Sequence, residues 1–195
     1  IPNFTANALS AKGEFARIRS QPLVERAAFL AIIATAAADL AGAGGWIGGV
    51  PALAAALALG LALALASQGY RVVGAHSRSA GSAQALAERI SGCRAFATAQ
   101  ELADTVDLVF ITTPDSAIRQ VSAGVTWRPG QGLVHCSGAA SVEILQPASD
   151  QAAVAGAFHP LQSFADLADP MDAASRLTGV TFAVAGSGWL SKFLW

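Results

Sequence analysis

Charge is what this chain has least of. Only 13% of its 195 residues are Asp, Glu, Lys or Arg, and the net charge is −1. No basic patch interleaved with aromatics occurs, so neither nucleic acid nor an anionic membrane surface is an expected partner. Cysteine is scarce too. Cys93 and Cys136 stand far apart without metal-ligand spacing, and they read as buried thiols of a reducing, cytoplasmic compartment. His76, His135 and His159 fall in three separate segments, so no metal centre is expected. No Gly-x-Ser-x-Gly elbow follows an apolar run, which removes a Ser-His-Asp hydrolase reading. Internal repeats are absent. The start lacks a basic region followed by an apolar one, so no signal peptide is read. It opens on Ile1 rather than Met, which reads as a fragment or processed product.

Apolar residues are what the chain has most of, at 53%. At this length that supplies the core of one complete domain and part of a second. The organising stretch is Val106–Ser116, VDLVFITTPDS. Its short run of β-branched and aromatic residues predicts a strand buried on both faces, the kind found in parallel sheets covered by helices. Pro114 should stop the strand, and Asp115 or Ser116 should cap the next helix. In open parallel sheets ligands sit beyond the carboxyl ends of the strands. Thr112, Thr113, Pro114 and Asp115 are therefore candidate ligand contacts; the alternative is that they only stop a strand and start a helix.

Ile1–Arg26 reads as a loose arm. Phe29–Ala34 fits a buried strand or a helix equally. Gly42, Gly44 and Gly48 then offer a loop that would let phosphate oxygens reach backbone N–H groups. Against this, a dinucleotide-binding βαβ unit takes about 30 residues, well short of the span Ala27–Ala75, and Pro51 is expected to split the helix that follows. A Gly-rich hinge between two Ala-rich helices is the competing reading. Val50–Ala66, VPALAAALALGLALALA, has no charge but is shorter than the about 20 residues of a spanning helix. It is predicted as a buried helix closed by Gly69; a membrane hairpin over Ala27–Ala66 is the alternative. YRVVGA, Tyr70–Ala75, is a strand followed by Ser77, Arg78 and Ser79. No acid stands there to hold a ribose 2′-hydroxyl, and a guanidinium with two hydroxyls suits a 2′-phosphate. An exposed polar loop is the alternative.

Helices are predicted over Gly81–Ile90, Ala99–Thr105, Asp115–Ala123 and from Ser141. Strands are predicted over Cys93–Ala97, Gln131–Cys136, Ala153–Phe158 and Gly179–Ala185, with a turn at Arg128-Pro129-Gly130. This alternation is that of a doubly wound, mostly parallel α/β sheet with an irregular Ala/Gly-rich N-terminal segment.

The strings GYRVVGAHSRS, DLVFITTPDSAI, GLVHCSGAASVEIL and GAFHPLQSF, taken in order, resemble one family. It comprises bacterial Rossmann-like proteins, provisionally classed as oxidoreductases, that carry a C-terminal helical domain of unassigned function. They are similar to ketopantoate reductase, pyrroline-carboxylate reductase and deazaflavin-dependent NADP reductase. The resemblance covers Gly69–Val184. It implies a Rossmann-like domain, here 27–186 with an atypical first unit at 27–69, that binds NADP for hydride transfer to a small-molecule substrate. It also implies dimerisation through the helical domain, of which 187–195 would be only the start. Counting back from Gly69, the family's Gly-x-Gly-x-x-Gly loop falls at Leu53–Ala58, which has no glycine. A non-catalytic binding or dimerisation module that has lost its phosphate loop is the second reading. If the chain is an enzyme, His159 is the candidate acid or substrate-orienting donor, because His titrates near neutral pH. Ser137 and Gly138 would offer a hydroxyl and exposed backbone. His135 and Gln162 stand at the same predicted strand ends, and either histidine reads alternatively as a packing residue.

Overall fold

The computed structural model describes residues 30–33, 50–163 and 172–194. Their strands are β1 Leu30–Ile33, β2 Val72–His76, β3 Arg94–Ala95, β4 Leu108–Ile111, β5 Gly132–His135, β6 Val154–Pro160 and β7 Phe182–Gly186. They form one sheet in the order β3-β2-β1-β4-β5-β6-β7. All pairs are parallel except β6 with β7. β1 lies between β2 and β4, with a neighbour on each side. An apolar LAII run suits that central position, and the segment is a strand rather than half of a helical hairpin. The chain leaves β1 toward β2 and later returns to β4 on its other side, so the topological switch point lies between β1 and β4.

The helices are α1 Val50–Ser67, α2 Ala80–Ala87, α3 Ala99–Thr105, α4 Asp115–Ala123, α5 Gln146–Ser149, α6 Ala173–Arg176 and α7 Leu190–Phe193. One core layer joins α1, α2, α6 and α7 to the sheet, through Leu59, Leu86, Ala173, Leu190, Phe110 and Phe158. The other joins α3, α4 and α5, through Leu102, Ile118, Ala148, Val109 and Leu133. Helices thus cover both faces, which is why all four residues of β4 and of β5 are buried. Val106 is not in β4 as expected; it closes α3 as its C-cap.

α1 is long because Ala and Leu carry the least helical cost. It has no apolar stripe, being apolar all round, and such a helix is stable only when buried. Pro51 does not split it. It is the second helical residue, where a missing N–H costs nothing. Leu53–Ala58, the stretch that counting back from Gly69 gives for a Gly-rich loop, is therefore helix. At the other end Tyr70 N–H donates to Leu65 O and Gly69 N–H to Ala66 O, at 3.1 and 3.0 Å. This cap needs a left-handed residue, and Gly69 has φ +86°. No helix among the described residues is long and apolar enough to cross a membrane.

Candidate functional site

The parallel register brings the carboxyl ends of the strands level. Ile33 is opposite His76 and Ile111, Ile111 is opposite His135, and His135 is opposite Ala157. The residues just beyond β2, β4 and β5 therefore share one rim. β6 runs further, because Phe158, His159 and Pro160 pair with Val184, Ala183 and Phe182 of β7. Pro160 thus ends the strand, and His159 stands on a wall above the rim.

A cleft of about 290 Å³ opens there. Thr112, Thr113, Pro114 and Asp115 line it from the β4–α4 junction, Cys136, Ser137 and Gly138 from just beyond β5, His159 and Pro160 from β6, and Gln162 from just after it. Ala54 and Leu57 of α1 supply an apolar side. Neither was singled out from the sequence as a contact. The signal that finds them is the count back from Gly69, which ends on the same turns of α1.

Each polar group has a definite setting. Thr112 and Thr113 are buried. Pro114 takes the N-cap position of α4 in an extended conformation, φ −53° and ψ 146°, with no side-chain cap bond. Neither Asp115 nor Ser116 caps the helix. Because proline holds its own φ near that value, Asp115 becomes the first helical residue, its carboxylate at the positive end of the helix dipole. Ser141 likewise makes no cap bond to the 3-10 turn Val142–Leu145. Ser137 Oγ accepts from the backbone N–H of Ala139 and Ala140 at 3.2 and 3.1 Å, which leaves its hydroxyl proton to donate. Burial pushes the Cys136 thiol up to about 12, so it is neutral and no nucleophile.

The two histidines differ. His159 Nδ1 lies 2.9 Å from Cys136 O. A carbonyl only accepts, so Nδ1 carries the proton. The ring packs flat on Gly138, and a Cβ there would overlap it. His135 is wholly buried and lines no part of the cleft. Its Nδ1 accepts from Ser137 N–H at 3.2 Å, so that nitrogen is unprotonated. Nε2 has no hydrogen-bond partner; the Ser141 backbone favours the charged ring without bonding geometry. Burial holds the His135 pKa below its ordinary value; His159 adds to this, and Asp115 opposes it.

Ser77, Arg78 and Ser79 follow β2 on the same edge, with β1 between them and the cleft. Ser77 Oγ accepts from Ser79 N–H at 3.3 Å, and Ser79 Oγ from Ser82 N–H at 3.4 Å, capping α2. Arg78 is exposed. Gly42, Gly44 and Gly48 lie outside the described residues. The described residues contain no group of three His, Cys, Asp or Glu able to hold a metal ion.

A family model described as a Rossmann-like domain matches residues 25–160. The chain belongs to this Rossmann-like family. The fold of this Rossmann-like domain recurs in solved structures of low sequence identity. A Bacteroides fragilis protein provisionally assigned as an NADP oxidoreductase is 22% identical with a TM-score of 0.60, over 85% of this chain and 54% of that one. The 1-pyrroline-5-carboxylate reductase of Streptococcus pyogenes is 16% identical with a TM-score of 0.55, over 85% and 51%. A reductive aminase of Aspergillus terreus, in complex with NADPH and ethyl-5-oxohexanoate, is 16% identical with a TM-score of 0.50, over 70% and 42%. The chain thus spans about half the length of these structures. No curated protein matches it significantly.

Proposed function

We propose that this Rossmann-like domain binds NADP along its carboxyl edge and belongs to an oxidoreductase acting on a small carbonyl or imine substrate. The observation that carries this is convergence: Thr112–Asp115, Ser137–Gly138 and His159 meet in one cleft beside the switch point. Arg78 stands on the same edge, at the position where an acid would select NAD. The donor set fits the group. An exposed guanidinium and the N-terminus of α2 suit a 2′-phosphate, and the apolar side formed by Ala54 and Leu57 suits a flat ring. When bound, the cofactor supplies the hydride.

The chain's own residues orient the substrate and handle its proton. Cys136 O holds His159 Nδ1–H in both charge states of the ring, so Nε2 gains or loses a proton without the ring losing its anchor. Ser137 donates a hydroxyl beside it. In this reading the protein works in the cytoplasm, and the whole protein dimerises through a helical domain. The free thiols Cys93 and Cys136 agree with that compartment.

NADPH titration of the folded protein, followed by nicotinamide fluorescence, is expected to saturate; no saturable binding would end this reading. Arg78→Asp is expected to weaken NADPH by about tenfold or more, the scale of one lost charge-assisted bond, and NADH much less. Equal loss would remove Arg78 from the 2′-phosphate site.

A non-catalytic binding module is the second reading. It is favoured by the helical, glycine-free Leu53–Ala58. The same titration separates the two.

A further inference from the structure

We propose that His135, which lines no part of the cleft, is a positioning residue. Its unprotonated Nδ1 accepts the Ser137 N–H and so sets the conformation of the loop carrying Ser137 and Gly138. The effect on cofactor affinity rests on the reading above; the effect on the loop does not.

The sequence makes the coupling short. His135 is the last residue of β5, and Ser137 is two residues on. The ring folds back beneath its own loop, and among the described residues the 3.2 Å bond to Ser137 N–H is the one hydrogen bond of good geometry it makes. Ser137 Oγ in turn holds the Ala139 and Ala140 N–H groups. One acceptor nitrogen thus fixes the first link of a chain of three backbone donors. Gly138, inside that chain, is the surface on which the His159 ring lies. Moving Ser137 therefore moves the floor under His159.

Burial alone does not explain a histidine here. Its Nε2 is buried without a partner, a cost that an apolar residue of similar size would avoid. What the imidazole supplies, and leucine lacks, is the acceptor at Nδ1. The arrangement demands the neutral ring: a proton on Nδ1 would set two donors against each other. Among the described residues, the titratable groups acting on the ring are Asp115 at the start of α4, which favours its charge, and His159 on β6, which opposes it.

The test uses His135→Leu and His135→Asn. Asparagine carries an amide oxygen that can take the Ser137 N–H; leucine does not. Amide hydrogen exchange without any ligand is expected to quicken about tenfold at Ser137, Ala139 and Ala140 in His135→Leu, while Leu133 and Val134 keep their protection. His135→Asn is expected to restore most of it. NADPH affinity should follow the same order, and the wild type should lose affinity on acidification more steeply than His135→Asn. Identical exchange in the two variants, or no change in either, overturns the proposal. If His135→Leu does not fold, ring 15N resonances of the wild type decide: an unprotonated Nδ1 supports the proposal, and a protonated one overturns it. Absence of NADPH binding by the wild type would end the functional reading alone, since the exchange result stands without it.

Discussion

Gly138 is the residue on which the geometry of the cleft turns. A methyl group at this position would occupy the space of the His159 imidazole. β6 and β7 are paired on either side of His159, so the ring must yield and the backbone cannot. Gly138→Ala is therefore expected to displace the ring and break its bond to Cys136 O. In the oxidoreductase proposed above, a loss of activity on the order of a hundredfold, as for a misplaced group in a catalytic site, should come with little loss of stability. Reductase assays beside thermal melts would check this; full activity in Gly138→Ala would free His159 of the role given to it. His135 makes a separate prediction, on stability against pH. Its folded pKa is lowered by burial, so below about 6.5 the unfolded chain takes up a proton that the folded one refuses. Its contribution is complete above that pH and falls away as the pH drops toward the folded value. Urea midpoints between pH 7.5 and 5.5 should decline more in the wild type than in His135→Asn. An equal decline would assign the loss to other groups.

Among the elements, the junction of α3 with β5 depends on one buried amide. Gln131 Oε1 accepts from Arg128 N–H at 3.0 Å, and its Nε2 donates to Ala103 O and Val106 O at 2.7 and 2.8 Å. Those carbonyls lie at the α3 C-terminus, where Ala103 O also accepts the Val106 N–H at 3.4 Å. Arg128 reaches the same two, with Nη1 to Ala103 O and Nη2 to Val106 O, but from an exposed position. Gln131→Leu would leave the turn N–H without its acceptor and is expected to cost about 2–3 kcal/mol, whereas Arg128→Ala is expected to cost about 1 kcal/mol or less. Denaturant unfolding of both would test the order; equal losses would mean that the amide is not the anchor. This junction also shows which elements the sequence declares. α3 and α4 have the predicted ends, because Thr98 is a side-chain cap and Pro114 an unambiguous stop. α1 was predicted as a buried helix but hides its start, since an Ala/Leu run gives no period and Pro51 reads as a break until the helix is seen to begin there. The rim was legible because strand ends in parallel sheets gather by topology. The depth of His135 was not: a strand-end histidine reads the same whether it faces the cleft or lies beneath its floor.

For the molecule as a whole, the two thiols report on opposite edges of one sheet. Cys93 precedes β3 at the amino edge, and Cys136 follows β5 at the carboxyl edge. Burial raises both, Cys93 to about 11 and Cys136 to about 12, so thiolate is scarce at each and scarcer at the second. Since thiolate is the species that reacts, native Cys136 should be alkylated more slowly than Cys93 at pH 8, although the greater nucleophilicity of the more basic thiolate offsets part of the difference. Its accessibility sharpens the contrast, for Cys136 is buried and Cys93 only half so. Cys136 is reached through the cleft it lines, whereas Cys93 stands beside the edge strand β3. Iodoacetamide labelling resolved by mass spectrometry should show the two rates converging in urea, where both environments are lost. A ligand that closes the cleft should slow Cys136 and leave Cys93 as it was. Equal native rates would show that the carboxyl edge opens as readily as the amino edge, and a cleft built on that edge would not hold its shape.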